Sequence, residues 1–358
     1  MNSFNDLTRD LCAIYERAGF RFYKMRKFEE YSLYLENKDF LTSEAVITFH
    51  DPNGKLLALK PDVTLSIVKN SKATPLAGEK FYYTESVYRM EPRTHEFREI
   101  HQVGLEMLGR IDPVATLDVL SCALHSLSAV SDRFVLCLSH MGLTAAALDR
   151  AACGNTRLRA ELLRCIREKN QHDLLALCEN GHVDPAAAGQ LAALSAVDGA
   201  VPDALAQIRA LAMPDTEEAV RELQTVWNGL HACGLSDRVR LDLSMMNDSD
   251  YYNGIIFQGY IDGIHRHVLS GGRYDRLSCK FRPGVGAMGF ALYLSDLAPL
   301  QQSRSYDCDL LLLYHPDTPP EKVLACAEAE RSRGRSVRIE PQLPEGLRPR
   351  EVKEVSAC

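Results

Sequence analysis

The sequence predicts an α+β fold built on a mostly antiparallel sheet that is flanked by helices. Two pairs of strand-like runs are joined by turn signals. D-P-N-G separates EAVITFH from KLLALK, and Asp262-Gly263 joins residues 250–260 to residues 264–275. Residues 142–232 are instead rich in Ala, Leu, Arg and Glu with helical periodicity. We therefore expect a domain of about six or seven strands with a helical insertion.

Residues 1–141 are predicted to form the first part of this core. Residues 3–18 show apolar positions at helical spacing and predict a helix. An extended segment, FRFYKMRKFEEY, precedes the hairpin and a helix within residues 44–70. The runs GEKFYYTESVYRME and FREIHQVGLEMLG predict two strands around the polar loop PRTHE. Residues 111–130 predict a helix, and RFVLCLSH predicts a buried strand.

The core is predicted to resume in residues 233–300, after the insertion at 142–232. RVRLDLSMM and the second hairpin supply strands there, and GVGAMGFALYLSDLAPL begins as a strand and becomes a helix. Residues 301–358 predict a short α/β unit. In it, YDCDLLLLYHP, PEKVLACAEAERSRG and SVRIEP form one βαβ motif. Residues 341–358 are expected to be a disordered end.

Composition and charge exclude several classes of protein. The chain has 358 residues, of which 46% are hydrophobic and 25% charged, as is typical of a soluble globular protein. It has no uninterrupted apolar run of membrane length and no secretory signal, so we expect a cytoplasmic protein that binds no membrane. A net charge of -7 argues against a nucleic-acid binder. The 11 cysteines contain no C-x-x-C pair, and neither a metal site nor a cofactor is expected.

Polar residues inside strand-like runs indicate a candidate site. Arg89 follows FYYTESVY, and Gln102 and Glu106 are four positions apart in IHQVGLEML, so on a strand both point to one face. Such groups are costly to bury without a partner. The partner is either a cationic or hydrogen-bonding small ligand, or an internal group such as Arg89, Arg98 or the backbone. The residues alone leave both interpretations open.

Three tyrosines and a glycine pair are further candidates. Tyr251, Tyr252 and Tyr274 offer aromatic faces with hydroxyl ends, although tyrosine is equally an ordinary core residue. Gly271-Gly272 permits close approach of a ligand or a neighbouring strand. GVGAMGF lacks the lysine and Ser/Thr of a P-loop and the spacing of a dinucleotide fingerprint.

Taken together, these segments resemble the catalytic core of class II aminoacyl-tRNA synthetases, specifically histidyl-tRNA synthetase. KPDVT matches the segment that holds the amino group of the ligand, and YRMEPRTHEFREIHQVGLEMLG looks like motif 2. DYYNGIIFQGY followed by SGGRYDRL is similar to the histidine-specific signature, and GVGAMGFALYLSDL resembles motif 3. The matches follow the family order over residues 1–300. Residues 142–232 fall where the family carries an insertion, and the tail is shorter than a full anticodon-binding domain.

The resemblance implies a histidine-binding site. Residues of KPDVT would contact the ligand amino group, polar residues of motif 2 would lie near the amino end and the ring, and the tyrosines would line the imidazole pocket. The predicted histidine-binding residues are Asp62, Thr64, Arg89, Gln102, Glu106, Tyr251, Tyr252 and Tyr274.

Three positions depart from the synthetase pattern. Asp296 occupies the place of the motif 3 arginine, Asn247 that of the arginine opening the histidine signature, and Glu96 lies near a lost arginine of the motif 2 loop. Exchanging attraction for repulsion at about 4 Å changes an interaction by up to about 8 kcal/mol. Millimolar to micromolar binding is worth only about 4 to 8 kcal/mol. The resemblance therefore implies a degenerate ATP site without catalytic residues.

A synthetase-like chain that keeps the amino-acid pocket but loses the phosphate-binding cations resembles the regulatory subunits of ATP phosphoribosyltransferase. That resemblance implies a non-catalytic homodimer within a hetero-octamer. It would associate with a short-form catalytic subunit in the first step of L-histidine biosynthesis, and L-histidine would be the allosteric feedback effector. tRNA binding is not expected. The alternatives are a divergent histidyl-tRNA synthetase and a stand-alone histidine-binding sensor.

Overall fold

The chain forms two structural units, residues 2–298 and residues 299–358. The structure is a computed structural model that describes residues 4–41, 45–91, 94–214, 216–246, 251–300 and 306–356. The strands of the larger unit are β1 (Arg21–Phe22), β2 (Phe28–Glu30), β3 (Thr48–His50), β4 (Leu56–Leu59), β5 (Glu79–Met90), β6 (Phe97–Gly109), β7 (Phe134–His140), β8 (Asp198–Ala200), β9 (Val239–Asp242), β10 (Ile255–Ile261), β11 (Leu269–Arg273) and β12 (Gly286–Tyr293).

The helices of the larger unit are α1 (Phe4–Arg17), α2 (Tyr31–Leu35), α3 (Thr64–Asn70), α4 (Pro113–Val130), α5 (Met141–Ala152), α6 (Thr156–Arg167), α7 (Gln171–Asn180), α8 (Pro185–Ser195), α9 (Val201–Ala210), α10 (Glu217–Ala232) and α11 (Asp275–Phe281). Lys38–Phe40 and Leu294–Leu300 are short 3-10 helices. The smaller unit contains β13 (Cys308–Tyr314), α12 (Pro320–Arg331), β14 (Val337–Glu340) and β15 (Pro349–Val355).

The central sheet has the order β1-β5-β6-β12-β11-β10-β7-β9-β8, which is nine strands within the described ranges. The pairs from β5 to β7 are antiparallel, whereas β1–β5 and β7–β9 are parallel. The predicted α+β core is confirmed. The expected strand number was too low because β1 and β8, at the two edges, have only two and three residues and leave no periodic signal.

The first predicted hairpin is confirmed as β3 and β4, which pair antiparallel in a small sheet of order β2-β4-β3. The turn residue Asp51 accepts hydrogen bonds at Oδ1 from the backbone N–H groups of Asn53 (2.9 Å) and Lys55 (2.8 Å). Gly54 has φ 79°, a conformation that costs glycine little. The D-P-N-G sequence therefore closes this hairpin as expected.

Helices α1 and α4 cover one face of the central sheet. Asp112 caps α4 by accepting from the N–H of Ala115 at 3.0 Å, and Pro113 occupies the first turn. The hydroxyls of Tyr15 and Ser126 join the two helices at 2.9 Å. In the described part of the chain, α4 is the one helix long and apolar enough to span a membrane, and 50% of it is buried within the protein. Such burial is typical of a core helix.

The stretch predicted as a helical insertion contains α5 to α10, the first of which begins at Met141. Its helices have side-chain N-caps at several starts: Asn155, Asn170 and Asp184 each accept from a backbone N–H in the first turn. The insertion also supplies β8, which pairs antiparallel with β9. Helix α10 packs on α4 and so connects the insertion to the core.

The smaller unit is a parallel sheet of order β14-β13-β15. The predicted βαβ motif is confirmed as β13, α12 and β14. The prediction of disorder for residues 341–358 is wrong for Pro349–Val355, which form β15. This edge strand is mostly exposed and polar, so it lacks the apolar alternation of a strand. Only Val355 joins Leu310 and Leu312 in the hydrophobic cluster.

Candidate functional site

One face of the central sheet holds a cavity of about 570 Å³. Its lining includes every residue of the predicted histidine site: Asp62, Thr64, Arg89, Gln102, Glu106, Tyr251, Tyr252 and Tyr274. These residues come from β5, β6, the start of α3 and the segment before it, and the segments that precede β10 and follow β11. The structure therefore brings together side chains that are up to about two hundred positions apart in the chain.

Glycines make room for the polar side chains on this face. Glu106 of β6 lies opposite Gly289 of β12, and a Cβ atom at Gly289 would be 1.8 Å from Oε2 of Glu106. A Cβ atom at Gly104 would be 2.6 Å from the hydroxyl of Tyr83. Since both side chains lie across neighbouring backbone, any residue larger than glycine would displace them.

Glu106 is the buried acid at the centre of the cavity, with 2% of its surface exposed. Oε1 accepts a hydrogen bond from Thr64 (2.6 Å), and Oε2 accepts one from the hydroxyl of Tyr274 (2.5 Å). Burial raises the pKa of Glu106 to about 8, even though these two hydrogen bonds oppose the rise. Asp62 raises it further. The site therefore favours a ligand that brings a positive charge or N–H donors.

Asp62 is a second carboxylate of the cavity, with 14% of its side chain exposed, and lies just before α3. Oδ1 accepts from the N–H of Leu65 at 2.8 Å, and Oδ2 lies 3.6 Å from Nη2 of Arg89. Burial raises the pKa of Asp62, while Arg89 acts in the opposite direction. Arg89 also donates from Nε to the carbonyl of Pro61 at 2.8 Å. Arg89 thus holds the Pro61–Asp62 segment in place as well as adding positive charge to the cavity.

Gln102 carries a buried acceptor that lacks a partner. Its side chain is 2% exposed, and within the described ranges Oε1 accepts no hydrogen bond. Arg98, which the sequence offered as an internal partner, instead lies 3.3 Å from Glu91. Buried acceptors without partners are rare in folded proteins. Among the residues that the structure describes, Oε1 of Gln102 therefore keeps a free acceptor position inside the cavity.

The three predicted tyrosines form one wall of the cavity. The rings of Tyr251 and Tyr274 stack at 5.4 Å between centroids with 27° between planes. Tyr252 meets Tyr251 edge-on at 4.6 Å. Burial raises the pKa of all three hydroxyls, which therefore stay protonated and can donate. The wall is suited to a flat ring with polar edges.

A buried ion pair supports the KPDVT segment. Lys60 is 2% exposed and pairs with Glu85 of β5. Oε1 of Glu85 also accepts from the N–H of Met25 at 3.1 Å, and the carbonyl of Lys60 accepts from Tyr88 at 3.0 Å. This pair was not expected from the sequence, because Lys60 and Glu85 give no sign of facing each other until strand pairing is known.

The three departures from the synthetase pattern have different outcomes. Asp296 lies in the 3-10 helix after β12, and its Oδ1 is 3.3 Å from Nη1 of Arg266. Glu96 is exposed next to β6, and its carbonyl accepts from the N–H of Glu91 at 2.8 Å. Asn247 lies outside the described residues. Asp296, which occupies the place of the motif 3 arginine, is thus already paired with a cation, Arg266.

Sequence reasoning missed several aromatic residues of the cavity. Tyr83 is an even number of positions from Arg89 on β5, so the two side chains point to the same face of the sheet. Tyr293 of β12 lies opposite Gln102 of β6. His267 lies between Tyr260 and Tyr293, at centroid distances of 6.3 and 6.0 Å. Burial lowers the pKa of His267, so the ring is neutral near pH 7. In the ranges that the structure describes, no three His, Cys, Asp or Glu side chains are grouped as metal ligands.

The fold and the acidic, tyrosine-lined cavity define a protein of the class II synthetase type, and the chain belongs to the histidyl-tRNA synthetase family. The sequence model of that family matches residues 1–297. A relative from Oceanobacillus iheyensis, an ATP phosphoribosyltransferase regulatory subunit, is 25% identical over 322 residues, which are 88% of this chain and 78% of the relative. The resemblance to these regulatory subunits is confirmed.

Two solved structures share the fold. An ATP phosphoribosyltransferase regulatory subunit/histidyl-tRNA synthetase from Bacillus halodurans C is 22% identical with a TM-score of 0.78, covering 99% of this chain and 96% of that one. A chain of the ATP phosphoribosyl transferase (HisG:HisZ) complex from Thermotoga maritima is 19% identical with a TM-score of 0.64, covering 81% and 97%. These likenesses confirm the predicted class II synthetase-like architecture.

Proposed function

We propose that this chain is a regulatory subunit of ATP phosphoribosyltransferase and acts in the first step of L-histidine biosynthesis. The names of its relatives support this role. A short-form catalytic subunit would supply the phosphoribosyl chemistry and require this chain for activity. The chain itself would carry no catalytic residues, and L-histidine would be the feedback effector.

The observation that carries the proposal is the unpartnered Gln102 acceptor in the same cavity as the carboxyl groups of Glu106 and Asp62. An α-ammonium group would donate to Gln102, Thr64 and the carboxylate of Asp62. The ring N–H of an imidazole would donate to Glu106, with the tyrosine wall against its faces. Arg89 supplies positive charge at the Asp62 end for the α-carboxylate. Such pairing offsets the cost of burying these groups.

The ion pair of Asp296 supports the loss of histidine activation. An ATP triphosphate needs clustered cations, and a carboxylate at this position would repel it. Arg266 is within 3.3 Å of Asp296, so that guanidinium is already engaged. We therefore infer that the chain does not make an aminoacyl adenylate.

The small sheet supports assembly of the proposed homodimer. Phe28 and Phe49 are 46% and 37% exposed, with their rings 5.4 Å apart, and Leu57 lies on the same sheet face. Exposed apolar residues grouped in this way are typical of an interface between subunits. This homodimer would be part of a cytoplasmic hetero-octamer that also contains the catalytic subunits.

The test is activity of a short-form catalytic subunit with and without this chain, and with and without L-histidine. We expect no activity from the catalytic subunit alone, activity with both subunits, and inhibition by histidine. Isothermal titration of this chain should show histidine binding. Pyrophosphate exchange by this chain would instead favour a divergent histidyl-tRNA synthetase. Histidine binding without any effect on a catalytic subunit would favour a stand-alone sensor.

A further inference from the structure

Helix α10 of the insertion carries an acidic side chain that reaches the end of the central sheet. Glu222 is 25% exposed and lies between two basic residues. Its Oε2 is 3.0 Å from Nε2 of His140, at the end of β7, and its Oε1 is 3.8 Å from Nη1 of Arg273, at the end of β11. The hydrogen bond with His140 and the charge of Arg273 lower the pKa of Glu222, which is therefore ionised at neutral pH.

His140 connects Glu222 to the first helix of the insertion. Its Nδ1 accepts a hydrogen bond from the N–H of Gly142 at 3.1 Å and so caps α5. Since Nδ1 is the acceptor, Nε2 bears the proton and donates to Glu222. One imidazole therefore joins β7, α5 and α10.

Arg273 continues the network toward the cavity. Its Nε donates to Oδ2 of Asp275 at 2.7 Å, and Oδ1 of Asp275 accepts from the N–H of Ala287 at 2.9 Å. Nδ2 of Asn253 donates to Oδ2 of Asp275 at 3.2 Å. In return, the backbone N–H of Asp275 donates to Oδ1 of Asn253 at 2.7 Å. The N–H of Asn253 also donates to the carbonyl of Arg273 at 3.0 Å. Two segments remote in sequence are thereby fixed to each other.

The residues of this network are direct chain neighbours of the tyrosine wall. Asn253 follows Tyr252, and Tyr274 stands between Arg273 and Asp275. A shift of Arg273 would move the backbone that carries the wall. Because Glu222 belongs to the insertion, that backbone is linked to the insertion by the ion pair between Glu222 and Arg273.

We propose that Glu222 is a positioning residue through which the helical insertion sets the placement of the tyrosine wall, so that the insertion and occupancy of the cavity are coupled. This deepens the proposed function and depends on it only for the identity of the ligand. Coupling between linked sites is typically about 5- to 150-fold in affinity. The network itself is present without any ligand, and this allows a test in the ligand-free chain.

Hydrogen exchange measured by mass spectrometry on the full-length, ligand-free chain tests the network directly. Glu222→Ala removes both interactions, and Glu222→Gln keeps an acceptor for His140 but removes the charge facing Arg273. We expect exchange in peptides covering 251–257 and 273–287 to be at least about fivefold faster in Glu222→Ala and intermediate in Glu222→Gln. Glu218→Gln, an exposed position one turn earlier on α10, is the matched control and should leave exchange unchanged. Unchanged exchange in both Glu222 variants would overturn the proposal.

Titration with L-histidine separates positioning from simple stabilisation. We expect the dissociation constant to rise at least about fivefold in Glu222→Ala and to stay constant in Glu218→Gln. A lower melting temperature with unchanged exchange and unchanged histidine affinity would assign Glu222 a purely structural role and reject the proposal. If the unmodified chain binds no histidine, the proposed function fails, while the exchange experiment still decides whether Glu222 holds the wall.

Discussion

Replacing Glu106 by glutamine should make the protein more stable above neutral pH. Burial raises the pKa of Glu106 from its ordinary value of 4.5 to about 8. In the unfolded chain the carboxyl group ionises near pH 4.5, whereas in the folded protein it stays protonated up to about pH 8. Between these values the folded state binds more protons, so its stability falls as the pH rises through this window. Glutamine does not titrate and should remove that loss.

The magnitude follows from the size of the pKa change. At about 1.4 kcal/mol for each tenfold change in proton affinity, the ionised Glu106 costs up to about 5 kcal/mol in the folded protein. The free energy of unfolding of Glu106→Gln relative to that of the unmodified protein should therefore rise with pH. The rise between pH 5 and pH 9 should approach about 5 kcal/mol. Titration of all other groups cancels in the difference between the two proteins.

Urea unfolding followed by circular dichroism at pH 5, 7 and 9 provides the measurement. Glu99→Gln, an exposed position on the same strand, serves as control for the loss of a carboxyl group outside the cavity. A difference in free energy of unfolding between Glu106→Gln and the unmodified protein that does not vary with pH would refute the reasoning. The same variant should bind L-histidine at least about tenfold more weakly, because a cationic ligand favours the ionised form of Glu106, which glutamine cannot provide, and a charged hydrogen-bond acceptor is worth about 1.5 to 3 kcal/mol.

Two further substitutions test how the cavity is built. Gly289→Ala places a Cβ atom where the carboxyl group of Glu106 lies, so histidine affinity measured by titration should fall at least about tenfold. The control is Gly189→Ala, which has no atom within 4 Å of its Cβ position and should leave the histidine affinity unchanged. Lys60→Met leaves Glu85 without its cation and should lower the free energy of unfolding by about 3 to 5 kcal/mol in urea titrations. A loss below about 1 kcal/mol would contradict the buried ion pair.

The parts of the candidate site that depend on residues close together in the sequence were predictable. Gln102 and Glu106 were placed on one face of a strand from their even spacing alone, and β6 confirms that placement. The hairpin at Asp262-Gly263 followed from its turn residues and is present as β10 and β11. These features depend on residues close in sequence, for which local rules suffice.

The remaining features depend on contacts between distant residues. Tyr293 enters the cavity because β12 pairs with β6 in a register that places it opposite Gln102. Glu222 and Arg273, 51 positions apart, meet only because the fold brings a side chain of α10 to the end of β11. Likewise, β15 is a strand because β13 offers it an edge, although its own side chains are mostly polar. No local pattern encodes such pairings.

The Arg266–Asp296 ion pair has a consequence for the introduction of a cation at position 296. Arginine there would place two guanidinium groups side by side, a repulsion of up to about 4 kcal/mol at an effective dielectric of 20, which solvent reduces because Arg266 is 59% exposed. Such a substitution would therefore be unfavourable unless Arg266 were changed as well. The synthetase arginine that the resemblance implies at this position would thus require two substitutions and not one.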